Sequence, residues 1–148
     1  MNRRIVVSTL LLLITSLALP AAAEPLLVSL KEGRMRSGPA TEYQVLWILP
    51  KGYPVEGLAK YREWWAVRKA SGHVGWMHEL SVEKGRGALV TNEKANVRNV
   101  PSTDGRLVFS VPKGYLFRIL EERDNWYKVK DAEGDEGWIY APLIWINK

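Results

Sequence analysis

"GWMHELS" (75–81) and "GWIYAPL" (137–143) open alike, and each Gly-Trp closes a run of alternating apolar residues just downstream of another tryptophan. Sliding the chain along itself by 62 positions accounts for the coincidence. Residues 27–79 then fall on 89–141 without a gap. Arg36 meets Arg98, Pro39 meets Pro101 and Thr41 meets Thr103. "PKGY" (50–53) meets "PKGY" (112–115), Trp64 meets Trp126, and Gly75-Trp76 meets Gly137-Trp138. Similar pairs such as Met35/Val97, Trp47/Phe109 and Trp65/Tyr127 fill the intervals. An ungapped register of that length is an internal repeat. The chain holds two copies of a module of roughly 60 residues, a size that still folds alone.

The local signals within each copy are all β. "LLVSL", "RMRS", "QVLWIL", "PVEGLAKY", "WWAVRK" and "VGWMHE" are short runs of apolar, β-branched and aromatic residues. Ser37-Gly38-Pro39, Pro50-Lys51-Gly52 and Ser71-Gly72 supply the turn chemistry between them. Closely spaced strands with Gly/Pro punctuation predict an all-β barrel or sandwich. No stretch sustains a 3.6-residue apolar period over three turns, so helix is limited to single turns.

The first residues belong to a different class of signal. Arg3 and Arg4 precede an apolar run from Ile5 to Leu19, and Ala21-Ala22-Ala23 follows. A basic start, a short apolar stretch and small residues before the cut predict a cleaved export signal over 1–23. The run is shorter than the ~20 residues that span a bilayer, so no membrane segment is expected after cleavage. The expected domains are 24–82 and 88–148, joined by a short polar hinge at 83–87, "EKGRG".

Loss of Arg3 and Arg4 takes the formal charge from +5 to +3, a mild excess that together with export argues against nucleic acid as partner. The absence of cysteine removes disulfides, thiolate metal sites and a cysteine nucleophile. His73 and His78 lie five apart in the first copy only, and they match no zinc spacing. Asp131, Glu133, Asp135 and Glu136 cluster in one turn without the spacing of a calcium loop, which reads as a solvated acidic turn. No nucleophile–base pair is legible, no cofactor or metal is called for, and the expectation is a protein that is not an enzyme.

Strand parity supplies the binding-site candidates. Trp65 and Val67 share one face of the fifth strand, while Trp64 and Ala66 share the other. In the second copy the latter face carries Trp126 and Lys128, so it is read as the wetter side, with Trp64 and Trp126 exposed or at a rim. Matched exposed aromatics mark a contact surface. The competing reading is that both tryptophans cap the barrel end or pack between modules.

At these residues the chain resembles the bacterial SH3-like (SH3b) family. The shared pattern is "MRSGPAT" with "NVRNVPST", then "ILPKG" with "SVPKG", then "EWWAV" with "NWYKV", then Gly75-Trp76 and Gly137-Trp138. Arg34 stands where Asn96 keeps the usual Asn. Val100 stands where the first copy has Gly38, so that position does not require positive φ. The resemblance implies two small, strongly bent β-barrels that bind rather than catalyse, with cell-wall peptidoglycan, its stem peptides or a protein segment as ligand. "EWWAVR" also resembles the stretch of eukaryotic SH3 domains whose first Trp lines the proline-peptide groove. That groove's later Tyr falls here on Ser81 and Leu143, against proline recognition of that type. The candidate site is therefore an aromatic shelf of Trp64 with Tyr43 and of Trp126 with Tyr140. Arg36 and Arg98 either meet ligand carboxylates or fix a strand-to-turn contact. The acidic turn of copy two is matched in copy one by Lys69, Ser71 and His73, so the modules are not expected to bind one ligand equally. The oligomeric state is not legible.

Overall fold

The computed structural model describes residues 22–148, and the expected export signal therefore lies outside the described residues apart from Ala22 and Ala23. Each module contributes seven strands. The first runs β1 (Glu24–Val28), β2 (Glu32–Arg36), β3 (Val45–Pro50), β4 (Pro54–Tyr61), β5 (Trp64–Arg68), β6 (Val74–His78) and β7 (Val82–Lys84). The second runs β8 (Gly87–Val90), β9 (Lys94–Arg98), β10 (Leu107–Pro112), β11 (Leu116–Arg123), β12 (Trp126–Lys130), β13 (Glu136–Tyr140) and β14 (Ile144–Ile146). A single 3₁₀ turn precedes the last strand of each, at Glu79–Ser81 and Ala141–Leu143. Among the described residues no helix is long and apolar enough to cross a membrane.

Both sheets are antiparallel with the same order, β3-β2-β6-β5-β4-β1-β7 and β10-β9-β13-β12-β11-β8-β14. They bend where a bulge interrupts the register, at Gly57/Ala59 and at the equivalent Ile119/Glu121. Such interruptions let a short sheet curl into a barrel. The chain is thus all-β, two bent antiparallel modules in tandem as the repeat predicted, in keeping with the SH3-like barrels that the resemblance implied.

The Gly-Trp pairs now have their physical reason. β6 touches β2 through one register pair, Arg36↔Trp76, and β13 touches β9 through Arg98↔Trp138. At the preceding glycine the backbones nearly touch. A Cβ on Gly75 would lie 2.8 Å from Met35 Cγ and 2.9 Å from the Arg36 carbonyl oxygen. One on Gly137 would lie 2.4 Å from Val97 Cγ1 and 3.0 Å from the Arg98 oxygen. Glycine is the residue that permits this crossing.

The two cores are the same set of positions filled differently. Leu26, Val28, Met35, Leu49, Val55, Val67 and Met77 in the first barrel correspond to Ala88, Val90, Val97, Val111, Phe117, Val129 and Ile139 in the second. Leu26 and Met35 are larger than their counterparts Ala88 and Val97, while Phe117 is larger than Val55. Close-packed interiors tolerate such exchanges when total volume is held.

The span expected as a hinge is paired backbone. Glu83 and Lys84 lie in β7 against β1, and Gly87 opens β8. Gly85 N donates to the Pro25 carbonyl at 3.0 Å, and Arg86 accepts from Ile119 N at 3.0 Å. The barrels are joined by Asn147, which is fully buried. Its Nδ2 donates to the carbonyls of Leu26 (2.8 Å), Gly85 (3.0 Å) and Val55 (3.2 Å), while Oδ1 accepts from Gly87 N at 2.8 Å. Exposed ion pairs, Arg118–Glu83 and Arg86–Glu122, border the same junction. They add ~0–1 kcal/mol each.

Candidate functional site

Trp64 and Trp126 do not stand at an exposed rim; they are 8% and 9% exposed. Strand alternation assigned them to a common face with Lys128, but that face is roofed. The residue that ends β6 or β13 lies against the indole. His78 meets Trp64 edge-on with ring centroids 5.2 Å apart, and Tyr140 meets Trp126 at 5.2 Å with planes tilted by 44°. Both are direct cross-strand pairs. The tryptophans form a wall, and the question becomes what they are the wall of.

In each barrel they back a shallow groove. The groove of the second barrel, about 300 Å³, is lined by Lys94, Asn96, Arg98, Thr103, Trp126, Tyr140 and Leu143. That of the first, about 170 Å³, is lined by Leu30, Glu32, Arg34, Arg36, Thr41, Trp64, His78 and Ser81. All seven lining positions of the second groove recur in the first at an offset of 62. The elements responsible are the outward side chains of β2 or β9, the hairpin that follows, the first residue of β5 or β12, and the 3₁₀ turn. Alternation on β2 sends Met35 into the core and Arg34 and Arg36 outward, which is why the groove has cationic residues along one side.

The two arginines hold the hairpin over the groove. Arg36 Nη1 donates to the carbonyls of Thr41 (2.9 Å) and Tyr43 (2.8 Å), and Arg98 Nη1 donates to that of Gly105 (2.7 Å). The strand-to-turn role is thus present, and each arginine also lines its groove. Trp126, Tyr140 and Arg98 come together in the second groove, and Trp64 and Arg36 in the first. Tyr43 does not join them. It is half-exposed and lies over Gly38, where a Cβ would be 2.5 Å from its ring. Gly38 does not have positive φ. In barrel two the sizes are exchanged: Val100 occupies the place of Gly38 and Gly105 that of Tyr43.

Glu32 and Lys94 were not named by sequence reasoning, and His78, Arg34, Asn96 and Leu143 were named there without being assigned to the candidate site. The signal was available, since residues two and four before each arginine share its face of the strand. His78 Nδ1 accepts from Leu80 N at 3.2 Å and so starts the 3₁₀ turn. The grooves differ in charge. The first contains Glu32 beside Arg34 and Arg36, whereas the second has no acidic lining residue. Lys94 and Arg98 make no ion pair among the described residues, although nine ion pairs occur elsewhere.

Among the described residues no group of three or more His, Asp or Glu side chains is placed to hold a metal. His73 is bonded to Ser71 Oγ at 2.9 Å and lies beside Trp47, ring centroids 5.1 Å apart. The acidic turn is organised from within: Asp131 accepts from Glu133 N, Asp135 N and the Tyr115 hydroxyl at 3.1, 2.8 and 3.0 Å. Burial, with the Asp131 carboxylate bonded to it, pushes the Tyr115 phenol up to about 12.

The chain is similar to YrvJ of Bacillus subtilis (strain 168), a protein named for a proposed N-acetylmuramoyl-L-alanine amidase activity, with 25% identity over 129 residues. The match covers 75% of this chain and 24% of that protein, so the chain spans about a quarter of the relative's length. Among solved structures it is similar to NlpC1 from Trichomonas vaginalis, with 19% identity and a TM-score of 0.38 over 82% of this chain and 45% of that one. An NlpC/P60 family protein from Bacillus cereus gives 14% identity and a TM-score of 0.39, over 84% and 56% of the two chains. The family profile described as Bacterial SH3 domain matches twice, over 29–84 and 91–145, the two barrels in turn. The chain belongs to the bacterial SH3 domain family.

Proposed function

We propose that the protein is an exported, non-catalytic binding module that holds peptidoglycan, through its stem peptides, in the grooves backed by Trp64 and Trp126. The observation that carries this reading is the repetition of one groove, position for position, in both barrels. The retained positions pair an aromatic wall with a cationic edge, which suits a ligand that combines apolar side chains with carboxylates. The Bacillus subtilis relative is named for a proposed N-acetylmuramoyl-L-alanine amidase activity. The sequence has no cysteine, and His73 and His78 are bonded to Ser71 and the Leu80 amide.

Titration with a soluble muropeptide, followed by amide proton–nitrogen correlation spectra, tests the reading. Shifts confined to β9, β12 and the Tyr140–Leu143 turn, or to their counterparts in barrel one, support it. Shifts absent from both grooves oppose it.

A second reading has its own observation. β3 ends its sheet, and its outward residues Leu46 and Ile48 are exposed. An apolar edge strand accepts an extended segment from a protein partner, which makes the molecule a periplasmic adaptor. Under that reading one companion protein co-purifies, and protein-free cell wall does not retain the chain.

A further inference from the structure

The two grooves are one set of positions with one charge reversed. Alternation puts Lys94, Asn96 and Arg98 on the outward face of β9, and Glu32, Arg34 and Arg36 on that of β2. At ~3.3 Å per residue each triplet forms an edge about 13 Å long. At the offset of 62, Lys94 stands where barrel one has Glu32, and Asn96 stands where it has Arg34. Other charges are common to both. Arg36 and Arg98 hold their hairpins alike, and each hairpin carries one acid, Glu42 or Asp104.

The edge of the second groove offers donors only. Lys94 and Arg98 make no ion pair among the described residues. Asn96 Oδ1 accepts from the Ser110 hydroxyl at 2.7 Å, which leaves its Nδ2, a donor, for a ligand. Three donors in a row, two of them cationic, suit carboxylates. The first groove is mixed. Ile48 takes the place of Ser110, a second guanidinium takes that of Asn96, and Glu32 adds a carboxylate without an ion-pair partner among the described residues. Such an edge suits a ligand that carries both signs.

We propose that Glu32 and Lys94 sort ligands by charge. The second groove takes wholly anionic peptide segments, with carboxylates on Lys94 and Arg98. The first takes segments with an ammonium beside a carboxylate, the ammonium at Glu32 and the carboxylate at Arg34. This assignment rests on the reading that both grooves hold stem peptide, and it gives them different parts to hold. Reversing one exposed charge replaces an attraction by a repulsion, each worth about threefold, or about tenfold together.

The probes are a soluble lysine-containing muropeptide and the same compound acetylated at its ammonium nitrogen, which leaves a wholly anionic ligand. Protein purified from cells expressing the full chain is titrated with each, and amide shifts are followed at both grooves. The acetylated compound is expected to bind the second groove about tenfold more tightly than the first, and the free ammonium to narrow that difference. In the double variant Glu32→Lys with Lys94→Glu, the acetylated compound is expected to prefer the first groove instead. Both residues are exposed, so an amide spectrum unchanged away from the grooves is expected and confirms folding. A preference that the exchange does not reverse, or equal affinity of the two grooves for the acetylated compound, overturns the sorting and leaves the grooves as stem-peptide sites. Shifts in neither groove overturn that reading itself, and the sorting with it.

Discussion

Asn147 Oδ1 accepts the amide proton of Gly87 at 2.8 Å, tying the residue after the last strand of the second barrel to the residue that opens its first strand. The same side chain donates to three carbonyls of the first barrel and the connecting segment. One primary amide meets all four backbone groups; Leu26 and Val55 also face each other in the β1–β4 ladder, so a smaller side chain strands chiefly Gly87 N and the Gly85 carbonyl. Each buried group left without a partner costs ~1–3 kcal/mol. Asn147→Ala is therefore expected to destabilise by about 3 kcal/mol or more and to split one denaturation transition into two. Calorimetry with one transition in both proteins would show that the amide does not couple the barrels.

Gly38 and Tyr43 in one barrel, against Val100 and Gly105 in the other, form an exchange of size across the repeat. A valine at 38 alone meets the Tyr43 ring, since an added Cβ lies 2.5 Å from it. Overpacking of this kind costs ~1–3 kcal/mol. Adding Tyr43→Gly to Gly38→Val recreates the pair of the second barrel, and φ at 38 permits it. The double variant is expected to regain most of the loss, with a coupling of ~1 kcal/mol or more in urea denaturation. Additive losses would mean that the two positions are independent.

Much of this was legible in the chain. The repeat fixed the number of barrels, and the two Gly-Trp pairs marked it, although that Gly75 and Gly137 are strand crossings came only with the structure. The burial of Trp64 and Trp126 was not legible, because alternation along β5 assigns faces and says nothing of what roofs them. The indoles are covered by their cross-strand partners His78 and Tyr140, which only the strand register brings there, and the hairpin beside them is held by arginine bonds to carbonyls that any residue type supplies. The joining of the barrels was hidden for a similar reason. Asn147 is one polar residue after "IWI", and its partners are backbone groups without sequence identity. The grooves fell in between: Arg36, Arg98, Trp126 and Tyr140 were found, Lys94 lay unread on the Arg98 face of β9, and His78 needed the β2 and β6 faces brought together.

Tyr115 carries a pH dependence of definite sign. Its pKa is raised from 10.0 to about 12 in the folded chain, by burial first and by the hydrogen bond to Asp131 second. The folded state thus holds the proton more tightly than the unfolded one. This contribution to stability is complete below pH 10 and is lost as pH rises toward 12. The advantage of the wild type over Tyr115→Phe in chemical denaturation is expected to shrink across that interval. An advantage constant with pH would show that the Tyr115 proton is not linked to folding. Tyr53, its counterpart, is raised by burial while its Ala70 backbone bond lowers it, without a carboxylate in place of Asp131.

The most direct measurement is co-sedimentation with purified, protein-free peptidoglycan sacculi. Trp64→Ala and Trp126→Ala are poor probes, because truncating a buried tryptophan costs ~3–5 kcal/mol and confuses binding with folding. Lys94→Glu combined with Tyr140→Ala changes exposed groove residues and leaves the core intact, to be confirmed by circular dichroism. The account predicts that the wild-type protein pellets with sacculi and that the folded groove variant pellets markedly less. A wild type that stays in the supernatant, or a folded variant that pellets equally well, contradicts it.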